Sequence, residues 1–125
     1  MLTFTVPGRP VPWQRAGYNR KTRTFFPPPK TDAYKQRVRW AAVMALHRAG
    51  HRRDAWKPLE TPVRITLEVF FPDRRRRDLD NVQKAIGDAL QGVLFVDDSQ
   101  VVEWRTRKSV DRENPRCEVT VEVVS

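Results

Sequence analysis

Residues 63–90 read VRITLEVFFPDRRRRDLDNVQKAIGDAL, a stretch whose hydrophobic period changes at a block of charged residues. Its first part, 63–71, alternates apolar and polar side chains, which predicts a strand with one buried face. After the charged block, apolar residues recur at helical spacing, which predicts an amphipathic helix that ends at Gly92. The residues predicted to be buried are Val63, Ile65, Leu67, Val69 and Phe71 in the strand, and Val82, Ile86, Ala89, Leu90 and Val93 in the helix.

Three further strands are predicted on either side of this unit. Threonines alternate with apolar residues at 2–6, and two more alternating runs occupy 101–108 and 117–124. The linker SVDRENPR between the last two runs is rich in turn-forming residues. These last two strands are therefore expected to pair as a hairpin.

A second helix is predicted at 31–50, with Thr31 as its N-cap and Gly50 as its end. The element order is then β-α-β-α-β-β, which indicates an α+β fold: a small mixed sheet covered by two helices. The whole chain, 1–125, is of a length typical of one domain. The predicted buried stripe of this helix is Tyr34, Val38, Ala42, Ala45, Leu46 and Ala49.

The same helix carries two pairs of polar residues at i,i+4 spacing. Lys35 and Arg39 share a face that is predicted to be exposed, where they either contact phosphate or are simply solvated. His47 and His51 have the spacing of a metal-binding pair, but no third ligand is nearby in the sequence.

The chain has a formal net charge of +9, and this charge is unevenly distributed. Residues 1–77 contain 18 Lys and Arg against 5 Asp and Glu, a net charge of +13, whereas residues 78–125 contain 6 against 10, a net charge of −4. A basic half of this size attracts polyanions, of which nucleic acid is the commonest. A basic surface that only aids solubility is the alternative.

The sequence predicts a cytoplasmic protein with no membrane partner and no organic cofactor. Its apolar runs are all shorter than the roughly 18 residues that span a membrane, and the N-terminus MLTFTVPGRP lacks the apolar segment of a secretory signal. The single cysteine, Cys117, has no partner for a disulfide or a zinc site and is expected to be a small strand residue.

Residues 7–30, called the arm below, contain six of the ten prolines and six Lys or Arg, interleaved with Trp13, Tyr18, Phe25 and Phe26. A loop of this length in a small domain is more often functional than not. We interpret the arm as an element that contacts a nucleic acid backbone and stacks on exposed bases. Phe25 and Phe26 are instead expected to fill the core. The candidate phosphate contacts in the arm are Arg15, Arg20, Lys21 and Arg23.

The charged block RRRRDLDN at 74–81 places four arginines against two aspartates, where the strand gives way to the helix. Asp78 and Asp80 point to one side if this junction is extended. Asp80 also resembles a helix N-cap, because Gln83 stands three residues later as in a capping box. Lys84 shares a helix face with Asp80, and its alternative role is an ordinary salt bridge on that face.

A second acidic pair, Asp97 and Asp98, lies in a predicted turn before the next strand. Three carboxylates with water suit Mg²⁺ or Mn²⁺, which complete their coordination with a substrate phosphate. Bare carboxylates would repel a polyanion, so flanking arginines are needed to bind its phosphates, while the metal activates a water for attack at phosphorus. The candidate arginines are Arg74, Arg75, Arg76 and Arg77.

The segments FPDRRRRDLDNVQKAIGDAL (71–90) and FVDDSQVVEWR (95–105) closely resemble the RusA family of Holliday junction resolvases. Members of that family are small, dimeric, metal-dependent endonucleases that prophages often carry. The resemblance is dense over about a third of the chain. It implies that Asp78, Asp80 and Asp98 are catalytic metal ligands, that Lys84 is required for catalysis, that Asp97 is a supporting ligand and that Arg77 contacts phosphate.

The resemblance also implies a substrate and an assembly. Family members cut four-way DNA junctions by paired nicks in opposing strands of like polarity, in DNA recombination and repair. A two-fold substrate that is cut twice implies a C2 homodimer whose two acidic clusters open onto one basic face. The implied cofactor is Mg²⁺, with Mn²⁺ as a substitute.

Two other functions remain compatible with these residues. A noncatalytic nucleic-acid-binding module would use the aspartates as caps and salt-bridge partners, and it would bind with a steep salt dependence and without need of Mg²⁺. A nuclease acting on forks or flaps would share the same chemistry, because selectivity for a branched structure resides in the dimer and the arm.

Overall fold

The α+β arrangement predicted from the sequence is confirmed by the computed structural model, which describes residues 1–14, 17–26, 29–52 and 54–124. Among these residues, no helix has the length and the apolar character that a membrane crossing requires. In chain order the elements are β1 (Leu2–Pro7), β2 (Gly17–Asn19), β3 (Thr24–Phe26), α1 (Pro29–Arg48), β4 (Val63–Phe71), α2 (Leu79–Leu90), β5 (Val101–Val110) and β6 (Arg116–Val123).

Four strands form one mixed sheet in the order β1-β6-β4-β5. The central strand β4 pairs in antiparallel fashion with β6 and in parallel fashion with β5. Parallel neighbours need a crossover connection, and α2 lies in that connection between β4 and β5. The β4–α2 unit therefore occupies the middle of the fold.

The predicted hairpin of the last two strands is wrong, because β5 and β6 lie on opposite sides of β4. The five-residue linker 111–115 can span this separation. Five residues reach about 17 Å when extended, whereas crossing one strand requires about 10 Å. The apolar β4 pairs with both β5 and β6 because it lies between them. The linker sequence does not indicate this long-range pairing.

The hydrophobic core lies on one face of the sheet and is built as the period-2 pattern predicts. Buried and half-buried residues alternate along the whole of β4, and Cys117 is confirmed as a buried residue of β6. In α2 the apolar stripe is buried from Val82 to Leu90, whereas Val93 lies beyond the helix and is half-buried. The α1 residues confirmed as buried are Tyr34, Val38, Ala42, Ala45 and Leu46.

Helix α1 begins two residues before the predicted cap. It starts at Pro29, a residue suited to the first helical position because it lacks the N–H that would otherwise be unpaired there. Thr31 is therefore inside the first turn, where its buried hydroxyl donates a hydrogen bond to the Pro12 carbonyl at 3.2 Å. At the other end, Gly50 has φ 91°, the left-handed conformation that ends many helices, and the predicted stop is confirmed. Ala49 is exposed, contrary to the prediction, because α1 has already ended.

Lys35 and Arg39 join α1 to α2 instead of forming an open phosphate-binding face. The Lys35 ammonium lies 3.6 Å from a carboxylate oxygen of Asp88, and the Arg39 guanidinium donates to the Ala89 carbonyl at 3.1 Å. Both side chains are half-buried, so the exposed face predicted for them is wrong, whereas their contact with phosphate stays a prediction. The sequence does not reveal which face of α1 meets a second helix, because that face carries polar as well as apolar residues.

The arm contains a small hairpin that was not predicted. Its strands β2 and β3 pair in antiparallel fashion, with Tyr18 opposite Phe25. Each strand has only three residues, which is too short to show an alternating pattern. The Asn19 side chain accepts backbone hydrogen bonds from Lys21 at 2.9 Å and Thr22 at 3.3 Å, and these bonds stabilise the turn.

Candidate active site

The charged block forms the junction between β4 and α2, and Asp78 is the N-cap of α2. Its backbone is extended, and its carboxylate accepts the Asp80 N–H at 2.9 Å and the Asn81 side-chain amide at 3.5 Å. The predicted Asp80 cap is therefore wrong by two residues. Gln83 forms no capping box either, since its side-chain oxygen accepts a hydrogen bond from the Thr106 hydroxyl of β5. Because Asp78 caps the helix, the Asp80 carboxylate takes no part in capping it.

Asp80 is exposed in the first turn of α2 and lines two adjoining depressions of the surface. Carboxylates are stabilised at this end of a helix by the helix dipole. On one side the depression is basic, and its lining is Arg76, Arg77, Asp78, Leu79, Asp80 and Lys108. On the other side a depression of about 220 Å³ is lined by Asp80, Gln83, Lys84, Gly87, Asp98 and Trp104.

Asp97 and Asp98 lie in a turn as predicted, but they have different roles. Asp97 caps a single 3-10 turn, Asp98–Gln100, by accepting the Ser99 N–H at 2.9 Å. Hydrogen bonds from Ser99 lower the pKa of the Asp97 carboxyl. Gln100 completes a capping box by accepting the Asp97 N–H at 2.8 Å. Asp97 is thus engaged in holding the turn that presents Asp98.

Asp98 is surrounded by negative charge. A hydrogen bond with Asp97 raises the pKa of the Asp98 carboxyl, and partial burial and the charges of Asp97 and Asp88 raise it further, whereas Lys84 acts in the opposite direction. Carboxylates crowded at an open site repel one another, and a cation bound there would relieve their repulsion.

The structure brings three of the predicted catalytic residues together. Asp80, Lys84 and Asp98 line one depression, although Asp98 lies beyond the end of α2, in the turn before β5. Asp78 and Asp97 flank this trio, but their carboxylates are occupied as caps. Within the described ranges, no three Asp, Glu, His or Cys side chains are close enough to enclose a metal ion. Two carboxylates on an open surface still fit Mg²⁺, which usually takes one or two protein carboxylates and keeps several waters or substrate oxygens.

Lys84 contacts an aromatic ring instead of making the helix salt bridge that was considered as its alternative role. Its ammonium lies 3.7 Å from the ring centroid of Trp13, which comes from the first part of the arm. Trp104 of β5 lines the other side of the depression and packs against Gly87, where a Cβ would lie 3.4 Å from the indole. Sequence reasoning placed Trp13 in the arm as a residue that stacks on bases and gave no role to Trp104, although Trp104 lies in the segment 95–105 that contains Asp97 and Asp98.

The four arginines of the charged block are not equivalent. Arg77 is half-buried: it donates to the Asp73 carboxylate at 2.6 Å and lies 4.5 Å from the centroid of the Phe71 ring. The hydrogen bond from Arg77 lowers the pKa of Asp73 to about 2. Arg77 therefore stabilises the loop after β4, while it also lines the basic depression, and its phosphate contact stays a prediction. The exposed arginines are Arg74, Arg75 and Arg76, and Lys108 of β5 adds a cation that sequence reasoning missed.

The hairpin of the arm exposes cations and aromatic rings together. Tyr18 and Phe25 are 50% and 75% exposed, with ring centroids 5.0 Å apart. The core role predicted for Phe25 is thus wrong, because the hairpin holds it away from the sheet. Arg20, Lys21 and Arg23 are exposed on the turn. Arg15 and the side chain of Phe26 lie outside the described residues.

His47 and His51 do not form a metal site with any third ligand among the residues described. They line an apolar groove of about 550 Å³ together with Trp40, Met44 and Trp56. The His51 ring meets the Trp56 ring edge-on, with centroids 4.8 Å apart. This contact places His51 in the packing between the end of α1 and the following loop.

Comparison with known proteins agrees with the resemblance read from the charged block. The family model described as "Endodeoxyribonuclease RusA" matches residues 7–122. Proteins named "Crossover junction endodeoxyribonuclease RusA" from Escherichia coli (strain K12) and Enterobacteria phage 82 are each 50% identical to this chain over 64 residues, which cover 50% of the chain and 53% of each relative. The chain thus spans about half the length of the curated relatives it matches. The family match extends over most of the chain, and the chain belongs to the RusA endodeoxyribonuclease family.

Proposed function

We propose that this protein is a Mg²⁺-dependent endodeoxyribonuclease that resolves four-way DNA junctions by paired nicks. The observation that carries the proposal is the depression in which Asp80, Asp98 and Lys84 meet, beside exposed arginines. Family membership supports it, since the matched relatives are named as crossover junction endodeoxyribonucleases.

The residues of the depression have separate roles in the proposed reaction. Asp80 and Asp98 would hold the cation through their exposed carboxylates. The chemistry that Mg²⁺ supplies when bound is polarisation of the scissile phosphate and activation of a water for in-line attack. Lys84 would stabilise the negative charge that develops on the phosphate oxygens.

The basic residues around the depression bind the substrate without reacting. The exposed Arg74, Arg75 and Arg76 would contact phosphates that flank the scissile bond and offset their repulsion from the acidic residues. On the hairpin of the arm, Arg20, Lys21 and Arg23 would contact the backbone farther away, where Tyr18 and Phe25 can stack on exposed bases.

We further propose that the active form is a cytoplasmic C2 homodimer. Two symmetric nicks in a two-fold substrate require two active sites with the same symmetry. Gel filtration at the assay concentration should give a species of twice the 14.7 kDa chain mass. A monomer that still makes paired nicks would contradict the dimer.

A nicking assay on a labelled mobile four-way junction tests the activity. Asp80→Asn should abolish nicking in Mg²⁺ while junction binding is retained or tightened, because the neutral amide is a poorer ligand and repels phosphate less. The matched control is Asp54→Asn, a substitution of an exposed aspartate in the α1–β4 loop, and it should leave nicking unchanged. Retained cleavage in Asp80→Asn would overturn the assignment.

The same assay separates the other candidate functions. The cap roles of Asp78 and Asp97 are the observation that favours a noncatalytic binding module, and such a module would shift the junction in a gel with no cleavage at any Mg²⁺ concentration. Competition among four-way junctions, forks, flaps and duplex DNA would identify a nuclease that prefers another branched structure.

A further inference from the structure

Trp13 ends a fixed segment that connects β1 to the hairpin of the arm. This segment, Pro7–Trp13, is called the strap below. Its hydrogen bonds tie it to the turn before β6 and to both helices, so that it is held at both of its ends. At the start of the strap, Arg37 donates to the Pro7 carbonyl at 3.2 Å and the Gly8 N–H donates to the Pro115 carbonyl at 3.1 Å. At its end, the Thr31 hydroxyl donates to the Pro12 carbonyl at 3.2 Å. The Trp13 N–H donates to the Asn81 carbonyl at 2.9 Å.

The last of these bonds places Trp13 beside the residues of the candidate active site. Asn81 is in the first turn of α2, one residue after Asp80. With its backbone held there, Trp13 presents its ring to Lys84, whose ammonium lies 3.7 Å from the ring centroid. The ring is half-buried while Lys84 is exposed, so this contact is made at the surface of the depression.

An exposed lysine needs such a contact if its ammonium is to hold one position. The lysine side chain is a flexible four-carbon stem that ends in a compact, strongly hydrated charge. The face of an indole attracts a cation through its quadrupole more strongly than the ring of Phe or Tyr does. The contact therefore restricts the ammonium to the rim of the depression that contains Asp80 and Asp98.

We propose that Trp13 is a positioning residue for Lys84, through which the strap that carries the arm sets the geometry of the active site. This inference rests on the proposed function of that site. It does not make Trp13 a catalytic residue, since the ring acts only through the lysine.

Two variants separate positioning from packing. Trp13→Leu keeps apolar bulk and removes the aromatic face, and it should lower kcat on a four-way junction about fivefold, the factor expected for a cation–π contact at an exposed site, with KM unchanged. Trp13→Phe keeps a ring and should recover part of the loss. The control is Trp40→Leu, which removes a 64% exposed tryptophan in the groove beside α1 and should leave kcat unchanged.

A spectroscopic readout tests the contact without relying on activity. In the NMR spectrum of the wild-type chain, the Lys84 side-chain protons nearest the ammonium should show an upfield ring-current shift, assigned by its loss in Lys84→Arg. This shift should vanish in Trp13→Leu and persist in Trp40→Leu. An unshifted Lys84 resonance in the wild-type chain would overturn the positioning role whether or not the protein cuts DNA. A shifted resonance in a protein that never nicks would instead contradict the proposed function and leave the contact intact.

If Trp13→Leu fails to fold, Trp13→Phe decides the question alone. A kcat between that of the wild type and one tenth of it, with an unchanged KM and a reduced ring-current shift, supports positioning. Loss of thermal stability with an unchanged kcat and an unchanged Lys84 resonance would show that Trp13 only packs.

Discussion

Replacing Tyr34 by Phe should stabilise the protein, because the Tyr34 hydroxyl is buried without a hydrogen-bond partner among the described residues. The ring is fully buried in α1, and burial raises the pKa of its phenol above the usual range. The Arg37 guanidinium, 5.7 Å from the ring centroid, contacts the ring itself and is not lost with the hydroxyl. The substitution therefore removes one unpaired polar group and little else.

The size of the effect follows from two opposing costs. A buried hydroxyl without a partner costs about 1–3 kcal/mol on protein-derived scales. Removing the oxygen leaves a void of roughly 10 Å³, which costs about 0.2 kcal/mol at about 24 cal/mol per Å³. The net gain in the free energy of unfolding is about 0.8–2.8 kcal/mol, which corresponds to a rise in Tm of about 3–11 °C for a chain of 125 residues.

Urea denaturation at neutral pH measures this gain directly. The midpoint of Tyr34→Phe should move to higher urea with an unchanged slope, since the substitution alters stability and not the area exposed on unfolding. Tyr18→Phe is the matched control: Tyr18 is the only other tyrosine, is 50% exposed, and should change stability by less than about 0.5 kcal/mol. A less stable Tyr34→Phe would refute the reasoning and show that the hydroxyl has a partner such as a buried water.

Three further outcomes are expected. Gly8→Ala should lose about 1–2 kcal/mol in the same denaturation assay, because Gly8 has φ 94° and an added Cβ would meet the Arg37 guanidinium; an unchanged midpoint would contradict the geometry of the strap. Asp78→Ala should lose about 1 kcal/mol whereas Asp78→Asn should lose almost nothing, since asparagine caps helices as well as aspartate; equal losses would exclude the cap. Burial raises the pKa of the Cys117 thiol from 9.0 to about 12, so its contribution to stability is present below pH 9 and is lost as the pH rises toward 12. Alkaline unfolding should therefore be shallower in Cys117→Ala, and a wild-type thiol that reacts at pH 8 faster than the protein unfolds would contradict the burial.

Local periodicity predicted the elements of this fold better than their arrangement. The alternation in β4 and the apolar stripe of α2 were correct because each pattern reports a face that one element must bury. The predicted pairing of the last two strands was wrong because each of them pairs with one edge of the apolar β4, and local periodicity does not report strand order. The hairpin of the arm was missed because three-residue strands carry no measurable period.

The sequence predicted the part of the candidate site whose residues lie close together in the chain. Asp80 and Lys84 were found together because residues four apart share a helix face. The approach of Asp98 depends on the loop after α2 and was predicted only through the family resemblance. The approach of Trp13 depends on the strap, and nothing in the sequence indicates it. The sequence favoured Asp80 as the cap because Gln83 follows it by three residues, but Asp78 also precedes the apolar helical run and is the cap in the structure.

The four aspartates near the depression form two pairs in which one member caps a helix or turn and the other lines the depression with Lys84. Asp78 accepts the backbone N–H of Asp80 itself, and Asp97 accepts the N–H of Ser99, next to Asp98. In each pair the capping carboxylate fixes the backbone from which the other carboxylate projects. Adjacent acidic residues would otherwise repel each other and spread apart, but a carboxylate bound to backbone N–H groups is held in place at little cost. In the proposed cation site, the capping member of each doublet is therefore as necessary to the geometry as the member that lines the depression.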